Sequence, residues 1–107
     1  MTDEFNAVSE VISTYFDGLY HSDTNRLKRT FHPQATYVTG TGGDFLYRNM
    51  KDYFAVVDQR PSPASRNEPR RDAVRSIDFA GPETARAVVH CAIGERYFTD
   101  FLTFVKT

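Results

Sequence analysis

Asp100 is the residue of this sequence that most directly suggests chemistry. It lies in an alternating run, residues 96–106, in which Phe98 and Leu102 flank it on one face of a predicted strand. A carboxyl group among apolar side chains must be hydrogen-bonded, paired with a cation or protonated, because burial penalises its charged form. Asp100 is therefore a candidate for acid–base work, and a structural aspartate bonded to a tyrosine or a backbone amide is the alternative.

The three histidines offer further candidates. His90 lies in the middle of a predicted strand, either as an acid–base group near a pocket or as a hydrogen-bonded histidine of the core or an interface. His32 precedes Pro33 at a helix end, where a capping contact explains it, and His21 is expected in solvent. The histidines are separated by 11 and 58 residues and Cys91 is the only cysteine, so we expect no metal site and no cofactor.

Aromatic residues are abundant, with nine Phe and six Tyr making up 14% of the chain. Bulky rings in a small domain either fill the core or line a cavity, and buried tyrosine hydroxyls need a hydrogen-bond partner. We expect Tyr37, Tyr53, Phe45 and Phe98 to line a ligand pocket, with plain core packing as the alternative.

Length and charge limit the class of protein. The 107 residues are enough for one domain, residues 1–107. Thirteen basic against fourteen acidic residues give a net charge of −1, which offers no field for nucleic acid or an anionic membrane. A lone cysteine excludes an intramolecular disulfide, and no signal peptide or membrane span is recognisable. These features predict a soluble, cytoplasmic domain.

Three helices are predicted from apolar residues at steps of three and four. The first covers residues 3–21. The second is shorter, is capped by Ser22 or Asp23 and ends before Pro33, because a residue that precedes proline is pushed out of the α region. The third has Asn49 as its N-cap and ends near residue 59.

The strands follow mainly after the helices, and this order predicts an α+β fold with an antiparallel sheet. Turns that contain glycine or proline separate the alternating runs. The predicted strands are residues 35–39, 45–48, 73–79, 85–93 and 96–106.

The last predicted strand is apolar on both faces. One face holds Phe98, Asp100, Leu102 and Phe104, and the other holds Tyr97, Thr99, Phe101, Thr103 and Val105. A strand with one face in solvent would alternate apolar and polar residues more strictly. We therefore expect one face to meet the helices and the other to meet a second copy of the chain, in a homodimer formed through the sheet.

Several motifs in this order resemble one superfamily. They are Tyr15-Phe16-x-Gly18 followed by Asp23, Leu27-x-x-x-Phe31-His32-Pro33-x-Ala35, Asn49-Met50-x-x-x-Phe54, and Tyr97-Phe98-Thr99-Asp100-Phe101-Leu102-Thr103. The chain resembles the nuclear-transport-factor-2-like (NTF2-like) superfamily, above all its putative lumazine-binding and SnoaL-like branches of small bacterial proteins. The resemblance implies a cone-shaped fold, in which a curved sheet wraps three helices around an apolar pocket, usually in a homodimer. Members normally continue into one more strand, which this chain is expected to lack.

Ketosteroid isomerase of the same superfamily implies roles for particular residues. Its oxyanion-hole tyrosine matches Tyr15, which lies eight residues before Asp23, and its protonated aspartate matches Asp100. Its catalytic base falls at about Thr39, and threonine cannot act as a general base at neutral pH. The resemblance therefore implies that Tyr15 and Asp100 bind an oxyanion or a carbonyl, without steroid isomerisation by that mechanism.

Two functions follow as hypotheses. The first is binding of a small apolar or aromatic molecule in the cone, with Tyr15 and Asp100 as anchors. Isomerase-like or cyclase-like proton transfer by Asp100 or His90 is a further step of this hypothesis. The second is a non-catalytic homodimeric interaction module whose own aromatic side chains fill the cavity.

Overall fold

The computed structural model describes residues 2–107 as three helices and five strands with short connections. The helices are α1 (Thr2–His21), α2 (Thr24–Thr30) and α3 (Met50–Gln59), and the strands are β1 (Thr36–Thr39), β2 (Leu46–Asn49), β3 (Ala73–Phe79), β4 (Thr84–Ile93) and β5 (Arg96–Val105). Two short 3₁₀ turns, Thr41–Gly43 and Ala64–Arg66, lie in the connections. The predicted α+β class and element order are confirmed, and the predicted bounds differ by one or two residues.

The junction of α1 and α2 is held by a side-chain cap and by one close approach. Asp23 is the N-cap of α2, and its Oδ1 accepts hydrogen bonds from the backbone N–H groups of Asn25 and Arg26 at 3.0 and 3.3 Å. A Cβ on Gly18 would lie 2.7 Å from Cδ2 of Leu27. The two helices can therefore pack at this distance only because position 18 carries no side chain.

The third helix begins as the sequence predicts. The Oδ1 atom of Asn49 accepts a hydrogen bond from the backbone N–H of Asp52 at 2.9 Å, as expected for an N-cap. Met50, Tyr53 and Val57 are buried, which gives α3 one apolar face directed into the core.

Two antiparallel sheets frame the interior. β1 and β2 form a two-stranded hairpin, and the other three strands form a sheet in the order β3-β4-β5. In the second sheet Val89 pairs with Asp100 and Cys91 with Phe98, so these four residues share its inner face. The buried core joins that face to α1, α2 and α3.

The outer face of the three-stranded sheet is open. Tyr97, Phe101 and Val105 are 70%, 82% and 69% exposed, whereas Asp100 and Leu102 of the same strand are half-buried against the helices. The predicted assignment of the two faces of β5 is therefore confirmed, and the homodimer remains a prediction. Within residues 2–107, no helix is long and apolar enough to cross a membrane.

Candidate functional site

The site is organised around a hydrogen bond between the first helix and the last strand. The hydroxyl of Tyr15 donates to Oδ2 of Asp100 at 2.6 Å, across a sequence separation of 85 residues. Tyr15 lies on the core-facing side of α1 and is only 6% exposed, and Asp100 lies on the inner face of β5. The apolar faces of these two elements must pack together, and this packing brings the two polar groups into contact.

Cys91 is the second group at the same carboxylate oxygen. Its Sγ lies 3.8 Å from Oδ2 of Asp100, with the thiol as the donor. Burial, and then the negative charge of Asp100, raise the pKa of Cys91 to about 12. The thiol therefore stays protonated at neutral pH and is a weak hydrogen-bond donor rather than a nucleophile.

Tyr15 is also held in its protonated form. Burial raises its pKa well above the usual value for tyrosine, and the nearby charge of Asp100 raises it further. At neutral pH the group thus contains two donors, Tyr15 and Cys91, and one acceptor, Asp100. A two-donor oxyanion site would have both Tyr15 and a protonated Asp100 directed at a ligand, whereas here Tyr15 donates to Asp100.

A chain of aromatic rings extends from Tyr15 towards the hairpin. Phe31 packs edge-on against Tyr15 and Tyr53, with ring centroids 5.6 and 6.0 Å apart. Tyr53 stacks on Tyr37 at 5.2 Å, with 15° between the ring planes. Burial raises the pKa of Tyr53 to about 12, so its hydroxyl is also neutral. These rings form an apolar lining with tyrosine hydroxyls at intervals.

A cleft of about 280 Å³ opens beside Tyr15. Its walls come from α1, from the connection between α2 and β1, and from residues 101–104 of β5. Asp100 is not part of the cleft wall and is linked to it by the hydrogen bond from Tyr15. The cleft wall therefore combines apolar side chains with three threonines, Thr30, Thr36 and Thr103, and with Tyr15, whose hydroxyl is bonded to a carboxylate.

The structure does not bring His90 to this group. His90 lies on the outer face of the sheet, where Nδ1 is 3.0 Å from Oγ1 of Thr99 and Nε2 is 3.5 Å from Nη1 of Arg75. Consecutive side chains of a strand point to opposite faces, so the inward positions of Val89 and Cys91 direct His90 outward. The hydrogen bond with Thr99 fits the alternative of a hydrogen-bonded histidine outside the pocket.

The predicted ligand-binding aromatics are divided between two environments. Tyr53 and Tyr37 belong to the interior chain of rings, and Phe98 is half-buried with the Arg96 guanidinium 5.2 Å from its ring centroid. Phe45 is 75% exposed in the hairpin loop, immediately before β2, and does not line the cleft. None of these four residues lies on the cleft wall beside Tyr15.

Among residues 2–107, neither Thr39 nor a cluster of possible metal ligands adds a functional group to this site. The Oγ1 atom of Thr39 lies 3.0 Å from that of Thr41 in the exposed end of the hairpin, so its hydroxyl is engaged locally. In the described part of the chain, no three His, Cys, Asp or Glu side chains are close enough together to hold a metal ion.

Arg60 is the residue that the sequence reasoning missed. Its Nε and Nη2 atoms are buried and have no hydrogen-bond partner among residues 2–107. Arg60 follows Met50, Tyr53 and Val57 at spacings of three and four, so it continues the buried face of α3. This spacing was the available signal, but the proline beside Arg60 places it in a predicted surface loop.

Comparison with known proteins shows to which family the chain belongs. The family model described as "Putative lumazine-binding" matches residues 3–107. The chain belongs to this family. No curated protein matches it. The expected relationship to the NTF2-like superfamily is confirmed by this match together with two solved structures.

Two crystal structures show how closely this putative lumazine-binding domain follows the NTF2-like fold. An NTF2-like protein of unknown function from Shewanella baltica OS155 is 26% identical, with a TM-score of 0.87, and the match covers 100% of this chain and 85% of that one. Another from Silicibacter pomeroyi DSS-3 is 22% identical, with a TM-score of 0.78, covering 98% of this chain and 86% of that one. The fold is shared throughout the matched length.

Proposed function

We propose that the protein binds a small, largely apolar or aromatic molecule between its helices and the three-stranded sheet, with Tyr15 and Asp100 as polar anchors. The observation that carries the proposal is their 2.6 Å hydrogen bond beside a cleft of about 280 Å³. This volume lies near the lower end of small-molecule pockets. Membership of a family described as putative lumazine-binding supports a ligand-binding function in general and does not identify the ligand.

A reaction is a further step of the proposal. Asp100 would move a proton beside a carbonyl group, and Tyr15 would stabilise the oxygen anion that forms, as in isomerisation or cyclisation. For this step the Tyr15 hydroxyl must turn from Asp100 to the ligand oxygen, and the movement must also open Asp100 to the cleft, whose wall it does not form. The outward position of His90 supports Asp100, rather than His90, as the group that moves the proton.

A second candidate function is a non-catalytic homodimeric interaction module. The chain of packed rings from Tyr15 to Tyr37 supports it, because these side chains occupy much of the interior themselves. The exposed apolar residues Tyr97, Phe101 and Val105 support dimerisation through the outer face. In either function, we propose that the protein acts in the cytoplasm.

The experiment measures binding of 2-naphthamide, a neutral two-ring probe, to the wild type and to Tyr15→Phe and Asp100→Asn. Loss of one anchoring hydrogen bond is expected to weaken binding by about threefold to tenfold. Tyr97→Phe is the matched control, because it removes a tyrosine hydroxyl on the outer face. Unchanged affinity in both interior variants would exclude Tyr15 and Asp100 as anchors. Absence of binding, together with a dimer in a native mass spectrum, would favour the interaction module.

A further inference from the structure

Arg60 occupies an unusual position at the end of α3. Its backbone N–H donates to the carbonyl oxygen of Val57 at 3.3 Å, which closes the helix. Its side chain continues the face that carries Tyr53 and Val57, both of them buried. The guanidinium is therefore directed into the molecule although Pro61 and the residues after it form a surface connection.

The guanidinium has two buried donors without a protein partner. These are Nε and Nη2, and neither forms a hydrogen bond with any residue of the described chain. The carboxylates in the same part of the interior are engaged elsewhere: Asp72 with Arg70 at 2.9 Å, and Asp100 with Tyr15 at 2.6 Å. Arg60 as a whole is half-buried, but burying two of its N–H donors without hydrogen bonds is costly, so this edge of the guanidinium points to a missing partner.

Arg60 belongs to the same interior as the Tyr15–Asp100 pair. Its positive charge opposes the rise in the pKa of both Tyr53 and Cys91, and Asp100 acts on the same two groups. Cys91 in turn lies 3.8 Å from Asp100. Tyr53 and Val57, which precede Arg60 on the same helix face, belong to one buried core with Tyr15 and Cys91, so Arg60 borders the core that holds the Tyr15–Asp100 pair.

We propose that Arg60 binds a carboxylate group of the ligand, so that the ligand is an aromatic carboxylic acid in its anionic form. Nε and Nη2 lie on the same edge of the guanidinium plane, and their parallel N–H bonds match the two oxygens of a carboxylate. The rings of the ligand occupy the cleft at Tyr15, whose wall includes Phe31, and Phe31 in turn packs against Tyr53 on the helix that ends at Arg60. This inference rests on the proposed ligand-binding function and narrows it from apolar or aromatic molecules to aromatic anions.

The two donors are closed to solvent in the free protein. A carboxylate can reach them only when neighbouring side chains move aside. Association is therefore expected to be slower than for a preformed open pocket.

The test compares two probes with the same rings and different charge, 2-naphthoate and 2-naphthamide. Wild-type protein is expected to bind 2-naphthoate at least tenfold more tightly. Arg60→Gln is expected to abolish this preference, because it removes the charge that distinguishes the two probes. Arg66→Gln is the matched control, because Arg66 is an exposed arginine of the 3₁₀ turn at Ala64–Arg66.

The outcomes separate this inference from the proposed function. If 2-naphthamide binds and Arg60→Gln retains the preference for 2-naphthoate, Arg60 is not the anchor although ligand binding stands. If 2-naphthamide binds and the wild type shows no preference, the aromatic anion is excluded as the ligand class. If neither probe binds, both proposals are overturned.

Thermal unfolding gives a second readout, and its first part, the midpoint of the free protein, does not depend on which aromatic probe is used. Arg60→Met is expected to raise the unfolding midpoint of the free protein, because it removes two buried donors without a partner and keeps an unbranched apolar side chain. In the wild type, 2-naphthoate is expected to raise the midpoint, and in Arg60→Met it is expected to have no effect. A lower midpoint for free Arg60→Met would show that Arg60 is held by the protein itself, and would overturn the inference.

Discussion

The inner and outer faces of the three-stranded sheet place similar groups in different environments. On the inner face, Asp100 accepts hydrogen bonds from the buried Tyr15 and from Cys91. On the outer face, one residue away along β4 and β5, His90 and Thr99 form an exposed hydrogen bond. Both arrangements contain a titratable group and a hydroxyl, but only the inner one is shielded from water.

This difference shows that burial, rather than residue type alone, sets the chemical properties of each group. The interior raises the pKa of Cys91 and of Tyr15 and strengthens the contacts of Asp100. Solvent on the outer face weakens the same kinds of contact by screening. Four predictions test this contrast, from the largest expected effect to the smallest.

Alkaline pH should destabilise the protein through its inner-face groups. Burial raises the pKa values of Cys91 and Tyr53 to about 12, above their usual values of roughly 8.5 and 10. The native state therefore holds these protons more tightly than the unfolded chain. Stability is complete below about pH 8.5 and falls as the pH rises towards 12, on the order of several kcal/mol in total. Urea unfolding at a series of pH values measures the fall.

Cys91→Ala separates the thiol from the tyrosines in this experiment. The variant is expected to lose less stability above pH 8.5 than the wild type does. A wild-type curve that stays flat to pH 12 would contradict the shielding of the inner face.

Adjacent valines of β4 compare the two faces directly. Val89 is fully buried on the inner face, and Val88 is half-buried on the outer face. Val89→Ala is expected to lower the free energy of unfolding by about 2 kcal/mol, because it removes buried methyl groups and leaves a cavity. Val88→Ala is expected to cost less than about 1 kcal/mol. Equal losses in denaturant unfolding would show that the outer face is covered in solution, as in a dimer.

Two tyrosine hydroxyls give the next comparison. Tyr15→Phe removes the 2.6 Å hydrogen bond to Asp100 and leaves a half-buried carboxylate with the weak Cys91 donor. The expected loss is about 1.5 kcal/mol. Tyr97→Phe removes an exposed hydroxyl that accepts a hydrogen bond from Nη1 of Arg71 at 3.1 Å, and its effect is expected to stay within about 0.5 kcal/mol. A larger loss in Tyr97→Phe would reverse the assignment of the two faces.

His90→Gln should have the smallest effect. It replaces a side chain on the outer face, so stability is expected to change by less than about 0.5 kcal/mol. The affinity for 2-naphthamide is expected to remain that of the wild type. A tenfold weaker affinity would restore His90 as a candidate for the site.

Local sequence patterns were sufficient for most of the fold. The apolar spacing of α1 and α3, the cap at Asn49 and the breaks at glycine and proline predicted element bounds to within one or two residues. These signals are reliable because they depend on the period of a helix or strand and on the chemistry of its ends. The choice between Ser22 and Asp23 as the cap of α2 needed the observed hydrogen bonds.

The site was only partly predictable. Alternation in β5 placed Asp100 on the inner face, and the resemblance to ketosteroid isomerase associated it with Tyr15. The two-residue turn at residues 94–95 sets the register of β4 against β5, which places Cys91 near Asp100, and alternation along β4 directs His90 outward. Phe45 was expected in the pocket because it is aromatic. Residue type alone does not show whether a side chain in a hairpin loop is exposed.

The sequence by itself determined the helices, the strands and the two faces of β5, because these follow from interactions between residues close together in the chain. Tertiary structure alone decided that Tyr15 donates to Asp100 rather than to open solvent, and that Nε and Nη2 of Arg60 are buried without a partner. The reason is that desolvation and hydrogen bonding of a side chain depend on every element packed around it. Those elements meet only when residues up to 85 positions apart come into contact.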